Sequence, residues 1–215
     1  MTCIHMDDIE NDVFCNAPLW SAPGHRGVAG GGSLAGILDA GCIDVHAHVV
    51  LAETLGRAGA AGPEIGYHDG GMPWFRVGEY RLDGVRYEGS PFMDADVRLA
   101  RMDEAGIDFQ ILSPNPLTYL HFIPAPDAVT FCRVHNDALA QRIALHPGRL
   151  AGLAALPMQD IGAAVEELHR AVGDLGLWGA AIGTDFPTAL HAPAMDALYD
   201  ACVALDVPLF LHPGP

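Results

Sequence analysis

Residues 42–50 read CIDVHAHVV, an apolar run that carries two histidines one residue apart. Ile43, Val45, Val49 and Val50 are β-branched, so the run is expected to be a buried strand. Side chains alternate along a strand, which predicts that Asp44, His46 and His48 project to one side. Two imidazoles in a buried strand are costly unless their nitrogens are satisfied. A divalent transition metal would satisfy them, and so would a hydrogen-bonded histidine pair without metal. The two readings are separated only by what the rest of the chain brings to the same place.

Downstream, the chain alternates between short apolar runs and helical periods. A helix is expected over 94–104, capped by Asp94 and ended by Gly106, with Val97, Leu99 or Ala100, and Met102 inward. Further helices are expected from Asp127 to about Leu145, over 160–174, and over 195–205. Strands are expected at 108–112, 150–156, 178–182 and 207–212. This alternation is the signature of parallel βαβ units, and the lack of polar alternation fits a sheet covered on both faces. The fifth strand ends in His212, directly before Pro213. Polar groups at the C-terminal ends of parallel strands face the site in barrels and open α/β folds alike. His46, His48 and His212 are therefore a candidate facial metal set with open positions for water or substrate. His68 and His191 can approach the same rim, while His135, His146 and His169 read as surface groups.

Between the first strand and the first helix lies an insert, residues 52–91, with no helical period. Asp83-Gly84 within RLDGVRY is its clearest signal and reads as a hairpin turn. Arg76, Arg81 and Arg86 lie on this insert, either as solvated charges or with one of them clamping a carboxylate through its planar fork. Residues 1–41 read as an irregular leader, broken by Gly and Pro.

Composition narrows the classes. The 215 residues suit one cored domain, and 50% hydrophobic with 18% charged residues excludes a disordered chain. A net charge of −16 argues against a nucleic-acid or anionic-membrane binder. The five cysteines are scattered with no CxxC, which suits a reduced, cytoplasmic protein. The acidic N-terminus is no secretion signal, and no apolar run approaches the ~20 residues of a membrane span. All eleven basic residues are arginine, which excludes lysine Schiff-base, P-loop-lysine and carboxylated-lysine chemistry from this chain.

Six segments resemble the amidohydrolase-related superfamily, in particular the branch of aminocarboxymuconate semialdehyde decarboxylase and the resorcylate decarboxylases. They are DVHAHVV (44–50), RLARMDEAGIDFQILS (98–113), HNDALAQ (135–141), HPGRLAGLAALPMQD (146–160), DLGLWGAAIGT (174–184) and LDVPLFLHPGP (205–215). The resemblance implies a (β/α)8 TIM barrel of the metal-dependent hydrolase type, with the metal at the C-terminal rim. It implies His46 and His48 as first-strand ligands and His212 as the fifth-strand ligand. One divalent ion is implied, zinc by preference and manganese as the alternative. An arginine near the insert, best matched by Arg86, would hold a substrate carboxylate. Asn115, after the second strand, faces the same pocket or serves as a turn residue.

Only about the first five βα units are present, whereas a full barrel takes ~250 residues. The expected proton-transfer histidine and a metal-completing aspartate would lie beyond Pro215. The chain thus reads as the N-terminal part of a longer protein, with an exposed sheet edge, and activity is expected of the complete barrel. The expected activity is metal-dependent decarboxylation of a small unsaturated or aromatic carboxylic acid. The alternatives are hydrolysis of an amide, lactone or ester, and a truncated barrel that only binds a partner. A homodimer is the assembly the resemblance suggests.

Overall fold

The first strand does form, as β1 (Ile43–Val49), in a computed structural model that describes residues 40–214. The reading of a leader over 1–41 falls almost wholly outside the described residues. From β1 the chain enters an antiparallel sheet of β2 (Glu64–Tyr67), β3 (Pro73–Val77) and β4 (Tyr80–Asp83). Then α1 (Ala95–Ala105), β5 (Phe109–Pro114), α2 (Ala125–Ala144), β6 (Leu150–Gly152) and β7 (Ala154–Ala155) follow. The described part closes with α3 (Ile161–Gly173), β8 (Ala180–Ile182), α4 (Asp196–Leu205) and β9 (Leu209–Leu211).

The parallel strands lie in the order β1-β5-β6 and β7-β8-β9. The run 150–156 was expected as one strand; it divides at Leu153 because its backbone changes partners. Leu153 N donates to Leu112 O of β5 (2.8 Å), whereas Ala154 N donates to Gly179 O at the start of β8 (2.8 Å). The expected parallel α/β alternation is thus present. Among the described residues the barrel is not closed: β1 and β9 are each paired on one side only. Val45 (54% exposed) and Leu211 (48%) lie on those two strands, which is the open edge the strand count anticipated.

Helix ends follow local chemistry. Asp94 accepts from Asp96 N (2.9 Å) and Val97 N (3.1 Å), and Gly106 ends α1 in the left-handed conformation at φ 69°. Asp160 caps α3 by accepting from Ala163 N (3.1 Å). Helix α2 begins two residues before the expected Asp127, because Pro124 takes the cap position and Asp127 falls in the first turn. The core between helices and strands is built on Leu112, Leu139, Ile143, Leu150 and Leu168, each with no measurable exposure. Each such side chain contributes about 1.5–3 kcal/mol by leaving water. Gly152 is dictated by this packing, since a Cβ there would stand 2.8 Å from Leu139 Cδ2.

Two expectations are corrected. The hairpin of the insert turns at Gly78-Glu79 and not at Asp83-Gly84. Val77 pairs with Tyr80, and Gly78 supplies the positive φ (58°) that a two-residue loop requires. Asp83 instead pairs with Trp74 at the open end, where its carboxylate holds His68 and Arg81. Among the histidines read as surface groups, His135 is in fact buried at 2% exposure, with Nδ1 3.3 Å from Asn136 Oδ1. No helix among the described residues is long and apolar enough to cross a membrane.

Burial pushes the His135 pKa down to about 4. Protonation is therefore harder in the folded than in the unfolded chain, whose histidines titrate near 6.5. Its stabilising contribution is complete above pH ~6.5 and is lost as pH falls towards 4. Urea midpoints measured from pH 7 to 4.5 are expected to fall, and to fall less steeply in His135→Leu.

Candidate metal centre

A one-residue bulge in β1 builds the site. Ile43 and Asp44 pair with Phe109 and Gln110 of β5, but the next pair is Ala47 with Leu112, so β1 spends one residue more than its neighbour. A bulge inverts the alternation of side chains beyond it. Asp44 therefore departs from the expected common face: it lies beside Gln110, whose Nε2 donates to Asp44 Oδ2 (2.7 Å), on the side of α1. His46 and His48 turn together the other way, with their Nε2 atoms 3.1 Å apart. His212, just after β9, completes the cluster from the facing strand, and ligand atoms of the three residues all lie within 4.8 Å of one another.

The three rings stand edge to face in a nearly equilateral triangle, with centroids 4.8, 5.0 and 4.9 Å apart. In two of them the outer nitrogen sets the tautomer. His48 Nδ1 lies 3.2 Å from Pro114 O and 3.0 Å from Ser113 Oγ, and His212 Nδ1 lies 2.7 Å from Pro213 O. A carbonyl only accepts, so each Nδ1 carries the proton and each Nε2 keeps a lone pair. Bonds of about 2.0–2.1 Å to one ion would hold two such nitrogens roughly 3 Å apart, as His46 and His48 stand. The cluster can therefore hold a divalent metal. All three donors are neutral, so the ion would keep its full charge for further ligands.

Desolvation, reinforced by the neighbouring His46 and His212, lowers the His48 pKa to about 4. Neutral imidazole is the form that binds metal, and burial favours that form at His48.

Behind β1, Arg98 of α1 reaches into the strand with only 7% exposure. Its Nη2 donates to His48 O (2.6 Å) and its Nη1 to Gln110 Oε1 (2.6 Å). Burial lowers its pKa to about 10, which leaves it charged at neutral pH. Sequence periodicity missed Arg98, because an arginine one position from Val97 reads as solvated. His121 was missed as well, for want of any local signal. It is stacked on Tyr119 (5.5 Å), and its Nδ1 lies 2.7 Å from Asp185 Oδ1 after β8. Tyr119 in turn faces the His212 ring at 6.5 Å. Burial lowers the His121 pKa against the opposing pull of Asp185.

The other candidates are placed as follows. Arg86 is exposed, and its Nε donates to Glu88 O (3.0 Å). Arg76 is committed to Glu64, Ala60 O and Gly78 O, and Arg81 to Asp83. Asn115 is buried and caps a 3-10 turn, accepting from Leu117 N (3.1 Å), with Nδ2 3.5 Å from Tyr87 Oη. His68 pairs with Asp83 on the insert and is not a member of the cluster.

Parallel strands that bring three histidines together near their C-terminal ends define a parallel α/β protein whose cluster could hold a metal ion. The chain belongs to the amidohydrolase family, whose model matches residues 43–215. It is 38% identical over 128 residues to gamma-resorcylate decarboxylase of Rhodococcus jostii, covering 55% of this chain and 39% of that protein. It is 32% identical over 121 residues to 2-amino-3-carboxymuconate-6-semialdehyde decarboxylase of Dictyostelium discoideum, covering 56% of this chain and 34% of that one. The crystal structure of a dihydroxybenzoic acid decarboxylase from Polaromonas sp., with bound manganese and the inhibitor 2-nitroresorcinol, superposes with a TM-score of 0.61. That match has 30% identity and covers 80% of this chain and 49% of the other. The chain thus spans between a third and a half of the length of these relatives.

Without metal, the ring nitrogen signals of His48 are expected to titrate with a midpoint near pH 4.

Proposed function

We propose that His46, His48 and His212 bind one divalent metal and that the protein acts on a small aromatic or unsaturated carboxylic acid, releasing CO2. The observation that carries this reading is the convergence of three imidazoles from strands far apart in sequence, with Nδ1 of His48 and of His212 committed to a backbone carbonyl. The decarboxylase relatives support the reaction class, and the manganese in the Polaromonas structure supports manganese beside the zinc preferred on sequence grounds. When bound, the ion supplies Lewis acidity towards substrate oxygens.

The protein's own groups do the rest of the holding. His46, His48 and His212 would hold the ion at the strand ends. Arg86 receives the carboxylate: of the insert arginines described above it alone keeps both terminal guanidinium nitrogens without a hydrogen-bond partner among the described residues, and that fork matches a carboxylate. Asn115 ties the end of β5 to Tyr87, the neighbour of Arg86, and so fixes the insert against the rim. In the reaction the bond between the ring or alkene carbon and the carboxylate breaks, CO2 leaves, and the electron pair left on carbon takes up one proton.

Two measurements test the proposal: metal binding by this chain, and CO2 release by a full-length barrel that contains it. Titration with Mn2+ or Zn2+ is expected to show one site, weakened at least tenfold by His48→Ala and unaffected by His68→Ala. The metal-loaded full-length barrel is expected to release CO2 from 2,6-dihydroxybenzoate or a related acid, with Arg86→Lys raising KM several-fold. Metal binding with no CO2 from a panel of such acids rejects the decarboxylase reading. Incorporation of solvent oxygen into product would instead support the hydrolase.

A further inference from the structure

We propose that Arg98 and Gln110 are positioning residues of the histidine cluster: together with Asp44 they lock the bulge that aims His46 and His48 at a common point. The inference rests on the metal reading above for its consequence, but the relay itself is a matter of hydrogen bonds within the protein.

The relay is continuous. Arg98 Nη1 donates to Gln110 Oε1 (2.6 Å), Gln110 Nε2 donates to Asp44 Oδ2 (2.7 Å), and Asp44 Oδ1 accepts from His46 N (2.9 Å). A second branch runs from Arg98 Nη2 to His48 O (2.6 Å). A guanidinium only donates and a carboxylate only accepts, so the Gln110 amide has one orientation that satisfies both neighbours. The bulge lengthens β1 between Asp44 and Ala47, the stretch that contains His46. Its freed amide, His46 N–H, is the group Asp44 takes up. One relay therefore grips the backbone of both histidines, from α1 on one side and β5 on the other.

Without these bonds a regular register becomes competitive, and a one-residue shift exchanges the faces of every side chain beyond it. Asp44 would then share a face with the histidines, and the two Nε2 atoms would lose their common target. Outer partners of metal ligands typically contribute 10–100-fold to metal affinity.

Arg98→Met and Gln110→Met keep side-chain bulk and remove the bonds. Three readouts are taken on each: Mn2+ affinity from the EPR signal of free ion, hydrogen exchange at the His46 amide without metal, and thermal unfolding. Expected for Gln110→Met is a cooperatively folded protein with faster exchange at His46 and Mn2+ binding weakened about 10–100-fold. Unchanged affinity and unchanged His46 exchange in a folded variant overturn the inference. If Arg98→Met does not fold, Gln110→Met decides, since it leaves the bond from Arg98 to His48 O in place. If the wild-type chain binds no Mn2+, the metal reading falls separately. Exchange at His46 then still judges the relay: accelerated in Gln110→Met it stands, unchanged it is overturned.

Discussion

One extra residue in β1 is the constraint on which the site depends. A strand without it would place Asp44, His46 and His48 on one face and mix a carboxylate into the imidazole pair. With it, the carboxylate faces the helix layer and the imidazoles face His212. The bulge leaves the His46 amide without a ladder partner, and that amide takes a side-chain acceptor instead. Asp44 is that acceptor, so the residue excluded from the cluster is the one that holds it open. The bulge and its compensation form a single device.

The rest of the described fold serves this rim. Packing of α1, α2 and α3 on the parallel strands fixes where the strands end, and those ends carry His46, His48, Asn115 and His212. Side chains at the rim are then oriented from behind. Pro114 O and Ser113 set His48, Pro213 O sets His212, and Asp185 holds His121 beneath the stacked Tyr119. Most of these outer partners are backbone carbonyls or residues at strand termini, whose position is determined by strand register. The same packing leaves β1 and β9 each with an unpaired side among the described residues, with Val45 and Leu211 exposed there.

Local chemistry was legible where it acts through neighbours in the chain. Asp94, Asp160 and Gly106 announce helix ends because capping needs only residues within a turn. The hairpin of the insert was misplaced by a few residues, because Asp83-Gly84 and Gly78-Glu79 are both acceptable turns. Pairing of Val77 with Tyr80 selects between them. His135 read as a surface group since nothing local tells a helix face turned to β7 from one turned to water. Arg98 and His121 were silent for the same reason: a buried polar residue is recognised by its partners, and theirs are distant in sequence.

The sequence by itself determined the parallel α/β class, the family, and the three histidines that meet at the rim. Alternating apolar runs and helical periods suffice for the first, and a shared order of motifs for the others. Only the tertiary structure decided that Asp44 leaves the cluster, that Arg98 and Gln110 grip both histidine backbones, and that the imidazoles present Nε2 inwards. Those outcomes depend on the register between β1 and β5, and register is set by which pairing best buries and satisfies both strands at once. No single strand carries that information.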